Sequence, residues 1–320
     1  GTTTLQLRRK QEIKHKHLLQ INRERLIDDD PEWSLIHSLP ESYSVDDQVG
    51  LDSPIGLKGV TLTSNVQQIF APQKNIDNLL YAIQKCRMCV ANIVADPLAS
   101  AESLLTEDER EMGICILDFG GSVIQMASIF GRKIRIPPPM YVGSDLVTSD
   151  IAIGLSTTIK DAERIKVEHG CAIAEMASDE RRIHIPPLGG GQADNPTTQH
   201  RLAEIIQSRM EEVFELIAEA FKQLELPEHF SSGVVITGGG ALLEGTVELA
   251  EKYLGMPVIE GNLREINGLT DIAPIPLISS ATGLALYGLR HPGEQKWAMP
   301  GQSRLKQITK SAFSWLGGEN

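Results

Sequence analysis

The sequence predicts an α/β protein with room for two lobes. Three features carry that prediction: a short apolar strand running into an acid and two glycines at Met112-Gly-Ile-Cys-Ile-Leu-Asp-Phe-Gly-Gly-Ser122, a second strand of the same design at Gly233-Val-Val-Ile-Thr-Gly-Gly-Gly-Ala241, and a long amphipathic helix between them. The run from Gly113 to Leu117 is too short for a helix and the glycines after Asp118 would stop one, so each strand reads as buried and as emptying into a tight turn. Glycine permits positive φ and close approach of the main chain, and clustered backbone N–H groups suit an anion. A single strand followed by Gly-Gly is often an ordinary turn. Two such turns point instead to a nucleotide, with Asp118 suited to hold a magnesium ion through water and Gly238 to Gly240 offering a flat seat for purine and sugar at the mouth of a helix. A Walker lysine and a Gly-x-Gly-x-x-Gly fingerprint are both absent.

The apolar share, 41% of 320 residues, is that of a globular chain. A formal charge of −12 argues against nucleic acid as a partner, because phosphate binding needs a clustered basic face. Cys86, Cys89, Cys115 and Cys171 are scattered with one close pair, which fits a reducing compartment. Cys86-Arg-Met-Cys89 has redox-motif spacing, but no second pair completes a zinc site. Gly1 to Arg25 lacks the apolar core of a secretory signal and nowhere do 18 apolar residues run together, so neither that export route nor a membrane span is expected.

In chain order, residues 1 to 30 carry Arg8, Arg9, Lys10, Lys14 and Lys16 and then Asp28-Asp-Asp30, and read as a solvated helix or loose end. Trp33 to Val49 mixes apolar and turn residues, and Pro54 to Gly59 marks a loop. β-formers alternate from Val60 to Phe70, after which Ile76, Leu79, Leu80, Ile83 and Met88 recur at helical spacing and read as core. Ala95 to Glu111 reads as a helix leaving through a charged turn into the central strand. Val123 to Ile129 is a further strand, Phe130-Gly-Arg-Lys133 a hairpin turn into Ile134-Arg-Ile136, and the three prolines from Pro137 forbid regular structure. Gly143-Ser-Asp145 opens a helix through Ile153, and Lys160 to Gly170 is a helix closed by glycine, on which Glu163 and Lys166 share a face and either pair or meet ribose hydroxyls. Gly189 to Pro196 is a loop that no strand feeds. Arg201 to Leu224 carries an apolar stripe of Leu202, Ile205, Ile206, Val213, Phe214, Ile217, Phe221 and Leu224, with Arg209, Glu212 and Glu219 away from it. After the second glycine turn a helix is expected from Ala241 to Leu254, a strand at Pro257-Val-Ile259, and a last helix from Ser279 to Leu289.

The end of the chain changes character. From Ser303 to Leu316 a helix would place Leu305, Ile308, Trp315 and Leu316, with Phe313 nearby, against Arg304, Lys306 and Lys310, with no acid in the stretch. A basic amphipathic helix with a tryptophan, tethered to an acidic protein, suits a membrane interface; the alternative is a helix docked on its own domain.

With these motifs together, the chain resembles the FtsA family, actin-like bacterial division proteins that tether FtsZ filaments to the inner membrane. The strings that carry the likeness are Leu105-Thr-Glu-Asp-Glu-Arg-Glu111, Val147-Thr-Ser-Asp-Ile-Ala152, Asp161-Ala-Glu163 with Ile165-Lys-Val-Glu-His-Gly-Cys-Ala172, Gly233-Val-Val-Ile-Thr-Gly-Gly239 and Asn267-Gly-Leu-Thr-Asp271. The resemblance implies an actin-like (ribonuclease H-like) two-lobed fold holding ATP with Mg, an incomplete first lobe, and a C-terminal amphipathic helix. On that plan residues 1–60 are a remnant of an inserted subdomain, 61–111 a remnant of the first lobe, 112–155 with 233–290 the second-lobe core, 156–232 its inserted subdomain, 291–302 a linker and 303–320 the membrane-targeting tail. Asp118, Gly120 and Gly121, with Ser122, match the family's second phosphate loop; Glu163 and Lys166 match ribose and base contacts; Gly238, Gly239 and Gly240 match the adenosine loop. Arg209 matches a position that binds the FtsZ C-terminal peptide, and the family further implies self-association into actin-like filaments and contacts with other division proteins.

Two departures qualify that plan. Where the family has a third glycine, a threonine and an acid after Gly121, this chain has Ser122, Val123 and Gln125, which removes a hydroxyl and a carboxylate from the phosphates. No first phosphate loop stands in the chain, so it is either a fragment or a member that has dropped nucleotide-driven chemistry. The expectation is therefore a membrane adaptor on the cytoplasmic face of the inner membrane that helps assemble the septal Z ring, with ATP binding weakened or lost and hydrolysis not expected. The rivals are an active ATPase or kinase of the actin/hexokinase superfamily and an actin-like assembly protein of a pilus or secretion machine.

Overall fold

In the computed structural model, which describes residues 1–22, 30–131, 133–186, 196–223, 231–264 and 273–290, the chain divides after Ala95 and again after Leu284 into two units. The first unit contains β1 (Thr2–Glu12), α1 (His15–Ile21), β2 (Trp33–Val45), β3 (Gln48–Leu51), β4 (Lys58–Pro72) and α2 (Gln73–Lys85). Its strands form one antiparallel sheet in the order β1-β4-β2-β3. Period-two alternation sets the faces: Thr3 and Leu5 are buried while Thr2, Thr4 and Gln6 are exposed. Leu5, Tyr43, Val45 and Leu62 pack with Ile13 and Ile21 as the core of this unit.

Three expectations change here. The chain begins with a strand rather than a solvated helix or loose end, because the β-branched run Thr2-Thr-Thr4 alternates with Leu5 in a pattern that the neighbouring charges hide. Trp33 to Val49 is mostly the long strand β2, which accommodates Pro40 at a register shift before Ser42. The α2 face is core only in part: Ile76 is buried, whereas Leu79 is 46% and Met88, beyond the helix, 55% exposed. Cys86 caps the end of α2 and Cys89 follows it, and both are free, exposed thiols.

The second unit opens with α3 (Asp96–Leu104) and α4 (Glu107–Met112), then β5 (Ile114–Phe119), β6 (Ile124–Phe130), β7 (Lys133–Arg135), α5 (Ser144–Gly154) and α6 (Ile159–His169). It continues with a small ribbon of β8 (Arg182–Ile183) and β9 (Thr197–Thr198), then α7 (Gln199–Gln223), β10 (Val234–Thr237), α8 (Thr246–Leu254), β11 (Val258–Glu260) and α9 (Ile275–Arg290). The sheet order is β11-β10-β5-β6-β7, with β10 parallel to both β5 and β11, and β6 and β7 antiparallel. Every residue of β5 is buried, as a strand covered on both faces requires. Cys115, Leu117 and Phe119 face the layer of α5 to α8, while Ile114 and Ile116 face Ala101 and Leu104 of α3. The stripe on α7 is core as expected: Leu202, Ile206, Val213, Phe214, Ile217 and Phe221 are buried, and Phe214 meets Phe119 edge to face at 6.2 Å.

Helix boundaries differ from the expectations most clearly at three places. The charged turn expected at the end of Ala95 to Glu111 is the helix α4, because Thr106 caps it by accepting the Glu109 N–H at 3.2 Å. The helix expected over Ala241 to Leu254 is a 3₁₀ turn at Gly239–Leu242 followed by α8 from Thr246, because Gly245 caps α8 in a left-handed conformation that interrupts the run. The last helix starts at Ile275 rather than Ser279, since Pro276 sits in its first turn, where a missing N–H is tolerated. Leu224, most of the Gly189 to Pro196 loop, the Asn267 to Asp271 string, the linker and the tail, including Arg304, Leu305, Lys306, Ile308, Lys310, Phe313, Trp315 and Leu316, lie outside the described residues. No described helix is long and apolar enough to cross a membrane.

Candidate functional site

Because β5 and β10 are parallel neighbours with Thr237 opposite Asp118, both glycine turns leave the same end of the sheet side by side. That end, beyond the carboxyl ends of parallel strands, is where open α/β sheets take ligands. A cavity of about 520 Å³ opens there, lined by Gly121, Asp145, Glu163, Lys166, Gly239 and Gly240 among others, with Leu243 and Leu277 as apolar walls. Its size lies within the roughly 300–1,000 Å³ of small-molecule sites. The fold thus gathers Gly121, Glu163, Lys166, Gly239 and Gly240 into one cavity. Asp118, Gly120, Ser122 and Gly238 stand beside it without lining it, and Arg209 is not among the lining residues either.

On the α6 side, Lys166 is only 7% exposed and its charge is fully engaged. Its Nζ donates to Thr148 Oγ1 at 2.8 Å and to the Ser144 carbonyl at 3.1 Å, and pairs with Glu163 Oε2 at 2.8 Å. The Thr148 hydroxyl is also bonded to the Glu163 carboxylate. Of the two roles open to the Glu163–Lys166 pair, mutual pairing is the one the geometry contains. The second Glu163 oxygen has no partner among the described residues, which leaves it able to accept a ligand hydroxyl.

On the glycine-turn side the carbonyls of the turn are already used. Ser144 N–H donates to the Gly120 carbonyl at 3.1 Å and Asp145 N–H to the Gly121 carbonyl at 2.8 Å, so the start of α5 is capped by the turn itself. This approach demands Gly143: a Cβ there would lie 2.1 Å from the Gly121 oxygen. Ser122 Oγ donates to Asp145 Oδ2 at 2.6 Å, and the Asp145 carboxylate stands over Gly121. Among the described residues, four lining carboxylates, Asp145, Glu163, Glu168 and Glu244, face two cations, Lys166 and Arg181. In the sequence Asp145 reads only as part of a helix cap; its one further signal is its position two residues after the Gly143 that admits the turn. The donor set fits a nucleoside, with glycine backbone, apolar walls and a carboxylate for hydroxyls, better than it fits the phosphates.

Asp118 is 8% exposed beneath the second turn. Gly238, at φ +86°, lets the main chain lie on it: a Cβ would stand 2.6 Å from Asp118 Oδ1. Burial first, and the charge of Asp96 second, push its pKa up to about 6, while the hydroxyls of Ser100 at 3.4 Å and Ser280 at 3.5 Å compensate weakly. Among the described residues no group of three or more His, Cys, Asp or Glu is placed to hold a metal ion. A magnesium ion at Asp118 would therefore depend on ligand phosphates and water for its other contacts.

Arg209, expected on the open side of the long helix, is held in a bidentate pair with Asp150 of α5, with Nε to Oδ2 at 2.5 Å and a terminal nitrogen to Oδ1 at 3.2 Å, and is bonded to Glu212 as well. These partners explain why its pKa lies above the usual value, the Asp150 hydrogen bond being the largest cause.

Solved structures with this architecture are actin-like. The PilM-PilN type IV pilus biogenesis complex matches with a TM-score of 0.57 at 16% identity, covering 90% of this chain and 77% of that one. MreB5 of Spiroplasma citri bound to ADP matches with a TM-score of 0.52 at 13% identity, covering 80% and 90%. The fold is thus of the actin-like two-lobed class. Sequence narrows the class: the family model for cell division protein FtsA matches residues 115–283, and that for the SHS2 domain inserted in FtsA matches residues 2–70. Cell division protein FtsA of Escherichia coli strain K12 is 33% identical over 293 residues, covering 89% of this chain and 68% of that protein. That of Pseudomonas aeruginosa is 34% identical over 256 residues, covering 80% and 61%. The chain belongs to the FtsA family and is an actin-like cell-division protein.

Proposed function

We propose that this protein is a peripheral adaptor of the division septum that tethers FtsZ filaments to the cytoplasmic face of the inner membrane, helps assemble the Z ring, and keeps a weak nucleotide site. One observation supports the nucleotide part above the others: the cavity joins the Gly239-Gly240 backbone to the Glu163–Lys166 pair, while the Gly120 and Gly121 carbonyls of the turn beside it accept from the start of α5 and the Asp145 carboxylate of that helix stands over Gly121. ATP with Mg is the ligand, held through its adenosine half. Hydrolysis is not part of the role we propose: of the two lining cations among the described residues, Lys166 is bound as above, and Arg181 lies beside the His169 ring at 3.2 Å.

The tail from Ser303 supplies the membrane contact by its basic, tryptophan-bearing composition. Arg209 receives the FtsZ C-terminal peptide by exchanging Asp150 for a carboxylate of the peptide. Liposome flotation of the full chain against a version ending at Pro300 tests the tail, with flotation expected only for the full chain; equal flotation of both would contradict the adaptor role. Filament formation and contacts with other division proteins follow from the same reading.

A further inference from the structure

Apart from the cavity of the second unit, the sheet of the first unit carries a groove that has no role above. It lies between β1 and α1, measures about 280 Å³, and is lined by Arg8, Lys16 and His17, the amides of Gln6, Gln11 and Gln20, and the apolar side chains of Leu5 and Leu7. Among the described residues no carboxylate lines it. We propose that this groove binds the phosphate monoester of a small ligand or of a phospholipid headgroup.

Three observations carry the proposal. First, the charge is local: from Arg8 to Lys16 five cations, of which Arg8 and Lys16 line the groove, stand against the single acid Glu12 of that stretch, in a chain of formal charge −12. Arg8 and Lys16 make no ion pair among the described residues. Second, His17 is 6% exposed, yet its ring has a polar atom to offer. Nδ1 accepts the Lys14 N–H at 3.1 Å, so the proton of the neutral ring sits on Nε2, which has no partner among the described residues. Burial, with Lys16 and Lys14 nearby, lowers the His17 pKa and keeps the ring in that neutral, donating form. Third, Arg8, an exposed residue that lines the groove, stands in an irregular stretch of β1. β1 is an edge strand, and its pairing with β4 shifts register between Gln6 and Gln11, an irregularity of the kind that re-aims side chains at sites.

A phosphate monoester answers each group at once. The guanidinium of Arg8 gives two parallel hydrogen bonds, and the Lys16 ammonium and His17 Nε2–H give one each, with the glutamine amides completing the shell. The volume admits a headgroup-sized anion and no large ligand.

The test follows the histidine ring Cε1–H resonances of the full chain by NMR during titration with inorganic phosphate at constant ionic strength, His17→Gln identifying the His17 signal. A saturable shift of that signal is expected, weakened at least tenfold, or about 1.4 kcal/mol, in the double variant Arg8→Ala/Lys16→Ala. Both substituted side chains are exposed, so the unfolding midpoint should hold and report an intact fold. A second arm compares phosphatidic acid with phosphatidylglycerol vesicles at matched surface charge. A preference for phosphatidic acid that the double variant loses assigns the site to a headgroup, and a phosphate shift without that preference assigns it to a soluble ester. Absence of both, or either effect undiminished in the double variant, overturns the proposal.

Discussion

Asp118 is the ionisable group whose replacement has the most definite consequence. Its pKa rises from 3.8 to about 6, which at 1.36 kcal/mol per unit is a cost of about 3 kcal/mol to the folded state when the group is charged. The folded pKa lies above the unfolded one, so the native protein binds the extra proton between those values. Stability from this group is therefore greatest at low pH, falls as pH rises from about 4 to about 6, and stays reduced above that. Asp118→Asn removes the charge and keeps an acceptor for Ser100 and Ser280. It should stabilise the second unit by about 3 kcal/mol at pH 8, with the gain falling to roughly half by pH 5. Urea unfolding followed by far-UV circular dichroism at pH 8, 7, 6 and 5 measures this. A destabilised Asp118→Asn at pH 8, or a gain that does not change with pH, would refute the reasoning.

Gly143→Ala places a Cβ 2.1 Å from the Gly121 oxygen and 2.8 Å from that of Gly120, with backbone on both sides, and should cost about 2–3 kcal/mol in urea unfolding; an unchanged midpoint would mean the turn can yield. Lys166→Met leaves Thr148 and Glu163 without their cation, but Glu163 is 48% exposed and re-solvates, so a loss of about 1–2 kcal/mol is expected rather than the 3–5 of a fully buried pair. Arg209→Glu sets a third acid beside Asp150 and Glu212, and should lower stability by about 1 kcal/mol in a salt-dependent way while abolishing pull-down by the FtsZ C-terminal peptide. Asp150→Asn loosens the grip on Arg209 and should keep that capture; peptide retained by Arg209→Glu rejects the site.

The second unit was legible because its signals are local. β5 and β10 are short apolar runs ended by glycine, and α7 repeats its apolar residues over 25 positions, so period and punctuation sufficed. The first unit was obscured because β1 buries only Thr3 and Leu5, and the basic residues after them dominate composition. Helical spacing gave α2 correctly and overstated its core, since spacing says which residues share a face and not what covers that face. At the site, Glu163 and Lys166 were legible as neighbours at three-residue spacing, but the Thr148 that joins them comes from the preceding helix α5, 15 residues before Glu163, and is brought there by helix packing. The role of Asp145 was likewise hidden, because the contact of α5 with the Gly120-Gly121 turn is tertiary. Arg209 read as open because its partner Asp150 lies 59 residues earlier.

The central claim is that the cavity seats a nucleoside while offering its phosphates little. Isothermal titration of the full chain with ATP and Mg²⁺, and in parallel with ADP, tests it most directly. The account predicts a Kd weaker than about 100 μM, roughly −5.5 kcal/mol, with ATP and ADP within a few-fold of each other. An ATP Kd near 1 μM, far tighter than that of ADP, would contradict it.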